Sequence, residues 1–93
     1  MAKPTEHIWY VWNDRQERSF AILRYDGGHW RLEWGYRDPP ASENTVQTGE
    51  HATSNLDEAM QWMIRLIQSL SLEPDEAQDG IEKFRAAMAA RQA

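Results

Sequence analysis

The segment Trp30–Tyr36 alternates strictly between large apolar residues and charged or small ones. One set of alternate positions holds Trp30, Leu32, Trp34 and Tyr36, and the other holds Arg31, Glu33 and Gly35. Because successive side chains of a strand point to opposite faces of a sheet, this pattern predicts a β-strand with one buried face. A chain that contains such a strand needs neighbouring strands beside it and another layer to cover the buried face.

Three more segments of the first half are predicted to be strands. They are Ile8–Trp12, Ser19–Tyr25 and, from a weaker pattern, Thr45–Thr48. Asp26-Gly27-Gly28-His29 predicts a tight hairpin turn, because glycine reaches positive φ without a Cβ clash. Pro39 and Pro40 predict the end of the third strand, because proline has no N–H for the ladder. We therefore expect an antiparallel meander of three or four strands.

The length of the hairpin loop decides which side chains of the second strand share the face of Trp30 and Trp34. A loop of two or four residues places Ala21, Leu23 and Tyr25 there, whereas a three-residue loop places Phe20 and Ile22 there. The sequence does not distinguish these registers. In each of them the second strand has apolar side chains on both faces.

The second half of the chain is predicted to be helical. Asn55-Leu56-Asp57-Glu58 forms a capping box, and the helix that follows is predicted from Leu56 to about Leu70. Its apolar residues recur at helical spacing: Leu56, Ala59, Met60, Met63, Ile64, Ile67 and Leu70. A second helix is predicted from Pro74 to about Arg91. Gly80 lowers its helix propensity by about 1 kcal/mol relative to Ala, and Ala86–Ala93 is expected to fray.

These elements predict one α+β domain over residues 1–93, strand-rich at 7–49 and helical at 55–91, with the first helix packed on one sheet face. Two domains would each be too small, at 93 residues in total, to bury an adequate core.

The chain has no cysteine. It therefore has neither disulfides nor a thiol nucleophile, and this favours a reducing compartment. We see no signal peptide or membrane span and expect a cytoplasmic protein.

The predicted sheet has more apolar faces than one helix covers. In the first strand Ile8, Tyr10 and Trp12 share one face, and Trp9 and Val11 share the other. The second face could be covered by the C-terminal helix, by a second copy of the chain or by another protein. The chain has five Trp residues, which is a large number for one small core. We expect at least one of them on a functional surface, with Trp9, Trp12 and Trp62 as the first candidates.

Charge is distributed unevenly along the chain, which has 15 acidic and 10 basic side chains and a net charge of −5. The acidic excess lies on the helices, and its candidate binding residues are Asp75, Glu76, Asp79 and Glu82. These carboxylates form either a solvated face near a helix N-terminus or a docking stripe for a basic groove.

Arg24, Arg31 and Arg37 lie among the tryptophans of the predicted sheet. This arrangement is found in sheets that stack single-stranded nucleic acid, but it also fits a Trp-rich core with Arg on the solvent side.

The stretch Trp30–Arg37, together with Asn55–Ala59, faintly resembles the WGR domains, which are small β-rich modules with nucleic-acid-associated roles. Those domains have contiguous Trp-Gly-Arg, whereas here Tyr36 separates Trp34-Gly35 from Arg37. A helix is also predicted where the resemblance implies further strand. The resemblance covers about a third of the chain, and its implication is nucleic-acid binding through Arg and Trp on the sheet.

Catalytic patterns are scarce. His7, His29 and His51 lie at predicted strand or loop edges, without the His-x-x-x-His spacing or cysteine partners of a metal site. They are more simply explained as exposed loop residues, and we expect no metal and no cofactor. No Gly-x-Ser-x-Gly elbow is present. A small enzyme with a His and carboxylate site is an alternative, but no pairing of these groups is favoured.

The function predicted from the sequence is that of a small non-enzymatic protein-binding module, an adaptor or inhibitor. It would act through an aromatic sheet surface or the acidic C-terminal helix, because Trp, Tyr and Arg dominate interface energetics. The expected partner is another protein, a second copy of the chain, or both. In size and charge the chain is similar to inhibitors encoded by phages or mobile elements that occupy a nucleic-acid groove on a host protein. Nucleic-acid binding is the alternative.

Overall fold

The computed structural model describes residues 7–92 and confirms the predicted α+β fold. Its elements are β1 (His7–Asn13), β2 (Ser19–Asp26), β3 (His29–Arg37), β4 (Thr45–Thr53), α1 (Leu56–Leu70) and α2 (Pro74–Gln92). The four strands form one sheet in the order β1-β2-β3-β4, and each neighbouring pair is antiparallel. The strands thus form a meander with β1 and β4 at its edges.

The hairpin between β2 and β3 has a two-residue loop. Asp26 is paired with His29, and Gly27 and Gly28 both have positive φ, at 59° and 91°. Only glycine adopts both conformations without a Cβ clash, which explains the double glycine. Of the registers that the sequence left open, the structure has the one that places Leu23 opposite Leu32, with both side chains fully buried.

Both helices lie on the same side of the sheet. The apolar stripe of α1 packs on β2 and β3, where Met63 and Ile67 are fully buried. Helix α2 packs beside α1 and reaches β1, where the ring centroids of Phe84 and Tyr10 are 5.2 Å apart. The C-terminal helix therefore does not cover the second face of the sheet, and no helix within residues 7–92 lies on that face.

A β-bulge corrects the prediction for the first strand. The pairing of β1 with β2 shifts register between Ile8 and Tyr10, so that Trp9 is the extra residue. Its indole packs edge-on against Trp30, with ring centroids 4.7 Å apart, on the side that the helices cover. The prediction that Trp9 and Trp12 point to opposite faces is wrong, because a bulge moves the alternation by one residue.

All five tryptophans contact or belong to the core, which is more than we expected one small core to accommodate. Trp12 and Trp30 are 5% and 7% exposed, and Trp9, Trp34 and Trp62 are half-buried. The Trp62 indole lies between two rings, stacking on His51 at 4.3 Å and on Trp34 at 6.1 Å between centroids. Trp12 and Trp30 are thus core residues, whereas Trp9, Trp34 and Trp62 keep part of their surface exposed on the side of the sheet that the helices cover.

β4 extends furthest beyond its predicted end, and the other three strands and α2 are each one or two residues longer than predicted. β4 continues to Thr53 and contains a bulge where its pairing shifts between the Trp34 and Gly35 positions of β3. α2 continues to Gln92, because fully buried Met88 and the Arg91 guanidinium, 4.8 Å from the Trp9 ring centroid, hold its last turns. The helix is described as far as Gln92, and Ala93 lies outside the described residues, so the fraying of Ala86–Ala93 stays a prediction.

The predicted capping box at the N-terminus of α1 forms only one of its two hydrogen bonds. Asn55 Oδ1 accepts from the Glu58 N–H at 3.0 Å, but the Glu58 carboxylate accepts from the Thr53 hydroxyl at 2.7 Å instead of reaching back to Asn55. The Asn55 N–H donates to Thr53 Oγ1 at 3.1 Å. Thr53, the last residue of β4, therefore joins the strand to the helix cap.

The Thr53 hydroxyl lowers the pKa of Glu58 below its ordinary value. A carboxylate whose pKa is lower in the folded state stabilises the fold above its unfolded-state pKa, and this stabilisation is lost as the pH falls through the folded-state pKa. We expect Thr53→Val to destabilise the protein at pH 7 and to reduce its acid sensitivity below about pH 4.5. Urea unfolding from pH 7 to pH 3 measures the difference. An identical pH profile for both proteins would contradict it.

Candidate binding surface

The face of the sheet opposite the helices is named the open face. Its defining side chains are Ile8, Val11, Phe20, Ile22, Arg24, Arg31, Glu33 and Arg37. They alternate along each strand with residues packed under the helices, such as Leu23 on β2 and Leu32 on β3. The pairing places Val11 beside Ile22 and Ile22 beside Glu33 across three strands. A single surface therefore runs from β1 to β3.

An apolar strip, defined as Ile8, Val11 and Ile22, occupies the β1 side of the open face. Ile8 and Val11 are 49% and 42% exposed, and Ile22 is half-buried beside Val11. Single exposed apolar residues are common, but adjacent ones on a flat sheet more often mark a contact surface. The bulge at Trp9 turns the indole towards the core and leaves the aliphatic side chains of β1 on the open face.

A charged centre lies next to the strip, on β2 and β3. Arg24 and Arg31 are directly opposite each other across the strands, an arrangement that is destabilising for like charges. Glu33 offsets this repulsion: its carboxylate is 3.0 Å from Arg24 Nε and 3.8 Å from Arg31 Nε. Asp26 adds a contact of 3.9 Å with Arg31. Arg24 is thus hydrogen-bonded to Glu33, and Arg31 lies within ion-pair distance of both Glu33 and Asp26.

We expect Glu33→Gln to lower the free energy of unfolding by about 1 kcal/mol, because it leaves the opposed Arg24 and Arg31 without their shared anion. The variant also removes the repulsion between Glu33 and Glu50, which lies opposite it on β4, and this partly offsets the loss of the ion pairs. Glu50→Gln is the matched control: it removes the same repulsion, keeps the ion pairs and should leave the stability equal or slightly raised. Urea unfolding measures both, and equal losses for the two variants would contradict the assignment.

Arg37 and Phe20 form the corner of the open face beyond the charged centre. Phe20 is only 5% exposed, and the Arg37 guanidinium carbon lies 5.8 Å from its ring centroid. That guanidinium donates to Asn13 Oδ1 at 2.9 Å and to the Ser42 carbonyl at 2.9 Å. Arg37 therefore ties the end of β1 to the loop after β3, with its charge held at the rim of the open face.

The predicted acidic stripe divides into structural and exposed carboxylates. Glu76 is 6% exposed and accepts from the backbone N–H groups of Arg15 at 2.7 Å and Leu72 at 3.3 Å, so it fastens the β1–β2 loop to α2. Asp75 lies 3.2 Å from the Arg15 guanidinium, whose hydrogen bond lowers the pKa of that carboxyl. Asp79 pairs with Lys83 at 3.2 Å. The stripe is thus partly occupied by contacts within the chain.

A groove of about 680 Å³ runs between the end of α1 and the outer side of α2. Exposed Leu72 and half-buried Ile81 contribute apolar surface, and Glu82 and Arg85 are among its charged residues. Glu82 also lies 3.5 Å from the amide nitrogen of Gln78. This groove is the second surface of the described residues that could receive a partner, on the opposite side of the molecule from the open face.

The histidines do not converge. Within residues 7–92 no group of three or more His, Cys, Asp or Glu side chains is placed to hold a metal ion. His7 and His29 are exposed at the starts of β1 and β3. The ring of His51 stacks on Trp62, and its buried Nε2 lies 3.4 Å from Glu58 Oε2 without a hydrogen bond of good geometry. This is a packing contact between β4 and α1.

The structure brings together some of the predicted binding residues and separates the rest. Arg24, Arg31 and Arg37 share the open face, whereas Trp9, Trp12 and Trp62 lie on the helix-covered side. The sequence analysis did not select the apolar strip or Glu33. The signal for the strip was the second apolar set of the first two strands. The bulge, which determines the members of that set, has no clear sequence signature.

No protein-family model, curated protein sequence or solved structure matches the chain. Neither helix within residues 7–92 combines the length and the apolar character needed to cross a membrane.

Proposed function

We propose that this protein is a small non-enzymatic binding module whose open face docks on another protein. The observation that carries the proposal is the placement of both helices on one side of the sheet, so that no other element within residues 7–92 covers the apolar strip. Exposed Ile8 and Val11 on a flat sheet supply area whose removal from water stabilises a complex, by about 25 cal/mol per Å² before the costs of association.

The charged centre would give this surface its specificity. Arg24 is hydrogen-bonded to Glu33 at 3.0 Å and is largely buried, so this guanidinium would lose little side-chain freedom when a partner binds. Charges next to an apolar area resemble the composition of interfaces, in which Arg is enriched and an apolar centre is surrounded by a polar rim. The proposed partner therefore presents apolar side chains towards β1 and hydrogen-bonding or charged groups towards β3.

Nucleic-acid stacking on the sheet is less well supported than protein binding. A stacking platform needs exposed aromatic rings, and the one aromatic side chain of the open face, Phe20, is 5% exposed under Arg37. The net charge of −5 also opposes binding to a polyanion. We expect Trp fluorescence to stay unchanged when a single-stranded oligonucleotide is added at low salt. Quenching with a steep salt dependence would favour nucleic acid instead.

Capture of partners with matched variants tests the proposal. Val11→Asp places a charge in the apolar strip, and Leu72→Asp places the same charge on another exposed apolar residue, in the groove on the helix side. We expect Val11→Asp to lose a stoichiometric partner that both the unmodified protein and Leu72→Asp retain. Retention by Val11→Asp and loss by Leu72→Asp would assign binding to the groove beside the acidic helix. Circular dichroism and thermal unfolding check that both variants are folded.

A further inference from the structure

β4 forms an uncovered edge of the sheet. It is nine residues long, and among the strands of residues 7–92 it pairs with β3 alone. Its other side therefore presents backbone N–H and C=O groups in the arrangement that another strand can join. β4 has one bulge and one charged side chain, Glu50, but it contains neither the proline nor the lysine that commonly protect exposed edges.

The opposite edge, β1, is different. Helix α2 packs against it, and the Arg91 guanidinium donates to the Ile8 carbonyl at 3.5 Å. Lys83 and Asp79 line a narrow groove between this strand and α2. A strand that approaches β1 would meet α2. A strand that approaches β4 would not, because α1 contacts β4 only on the face of the sheet. β4 is therefore the accessible edge.

We propose that β4 pairs antiparallel with β4 of a second copy of this chain, which joins two four-stranded sheets into one of eight strands. The proposal concerns the edge of the sheet and does not depend on what binds the open face. Its two-fold axis would run perpendicular to the sheet. All four helices would then lie on one side, and the two open faces would join on the other.

The bulge in β4 selects one register for this pairing. Before the bulge Thr45 and Gln47 lie on the open face, and after it Glu50 and Ala52 do, as their partners on β3 show. Strands pair with directly opposed side chains on the same face. One alignment of the two β4 strands places every side chain opposite a side chain on the same face of the sheet. It pairs Gln47 with Glu50 of the second copy, and Thr45 with Ala52 of the second copy. Thr48 and Gly49 then lie at the two-fold axis.

The chemistry of this register is self-complementary. Gln47 Nε2 already donates to Glu50 Oε1 within the chain at 3.0 Å, and in the pair the same amide and carboxylate also lie opposite each other across the axis. No two like charges are directly opposed. On the helix side Val46, which is 40% exposed, comes to lie opposite the His51 of the second copy, next to exposed Tyr36. Apolar surface left exposed in one copy is thereby covered.

Cysteine crosslinking tests the register, because the chain has no cysteine of its own. In the proposed pair the two Thr48 Cα atoms are about 6 Å apart, within disulfide range, and the two Thr45 Cα atoms are about 23 Å apart. We expect full-length Thr48→Cys to form a disulfide-linked dimer under mild oxidation, and Thr45→Cys to remain reduced. Crosslinking through Thr45→Cys but not Thr48→Cys would overturn the register.

Light scattering and sedimentation measure the association itself. We expect concentration-dependent dimerisation of the unmodified chain. Gln47→Glu should weaken it about tenfold, because four carboxylates then face one another at the axis, whereas Gln47→Lys should keep or strengthen it. A chain that is monomeric up to about 1 mM would overturn the proposal, as would a dimer that is abolished by Val11→Asp and unaffected by Gln47→Glu. The monomer result would leave the proposed function of the open face untouched.

Discussion

Trp12→Ala is expected to lower the free energy of unfolding by about 3–5 kcal/mol and the Tm by roughly 15–30 °C. The indole is 5% exposed, in the core formed by the sheet and both helices. Its Nε1 lies only 2.8 Å from the position that a Cβ on Gly80 would occupy. Truncation therefore leaves a cavity where α2 comes closest to β1. Thermal and urea unfolding measure the loss.

The same contact predicts a coupling between Trp12 and Gly80. Gly80→Ala alone gains helix propensity, about 1 kcal/mol, but its Cβ collides with the indole and comes within 3.0 Å of Ile67 Cγ2, so the net effect should be a loss. In Trp12→Phe the smaller ring makes room, so the double variant should be more stable than the sum of the two single changes predicts. Strict additivity, or a stable Trp12→Ala that has lost only binding, would contradict the assignment of Trp12 to the core.

Gly35→Ala is expected to cost about 3 kcal/mol or to prevent stable folding. A Cβ at this position would collide with the carbonyl oxygen of Val46 and come within 2.9 Å of the Gln47 Cα. These are backbone atoms of the neighbouring strand, so relief requires β3 and β4 to separate at the bulge, at the upper end of the cost of overpacking. Urea unfolding compares the variant with the unmodified protein.

Thr45→Ala is the control for Gly35→Ala, because it adds no atoms at an exposed position of the same strand pair. We expect it to change the stability by less than about 0.5 kcal/mol. A Gly35→Ala protein as stable as this control would show that the strands at the bulge are farther apart than described here.

The sequence predicted the elements that have strong local signals. The alternation of β3, the double glycine of the turn and the N-cap of α1 each depend on a few neighbouring residues, and the structure has all three, although Glu58 bonds Thr53 and does not complete the capping box. The α+β fold class followed from them. Only the register of the hairpin remained open, because loops of two or four residues place one set of side chains of β2 on the core face and a loop of three places the other.

Predictions that depended on tertiary contacts were less successful. The bulge at Trp9 places this indole beside Trp30, a position that strict alternation along β1 does not give. Gly80 looked like a weak point of α2, whereas its missing Cβ is what lets Trp12 pack there. Glu76 looked like one more surface acid, whereas it accepts two backbone hydrogen bonds beneath the β1–β2 loop. In each case the deciding neighbour is distant in sequence.

The same limitation affected the candidate site. Arg24, Arg31 and Arg37 were selected because they alternate with tryptophans, and they do lie together on the open face. The tryptophans were expected beside them as binding residues, but the core takes up these rings. What remains outside is aliphatic and charged, and this composition favours protein docking, the first prediction from the sequence, over the alternative of base stacking.

The most direct test of the open face as a docking surface is covalent footprinting of the protein with and without its captured partner. Carbene labelling followed by mass spectrometry reports the exposure of individual side chains. We expect binding to protect Ile8 and Val11 and to leave the labelling of Leu72 unchanged, since Leu72 lies in the groove on the helix side. Protection of Leu72 with undiminished labelling of Val11 would contradict the account.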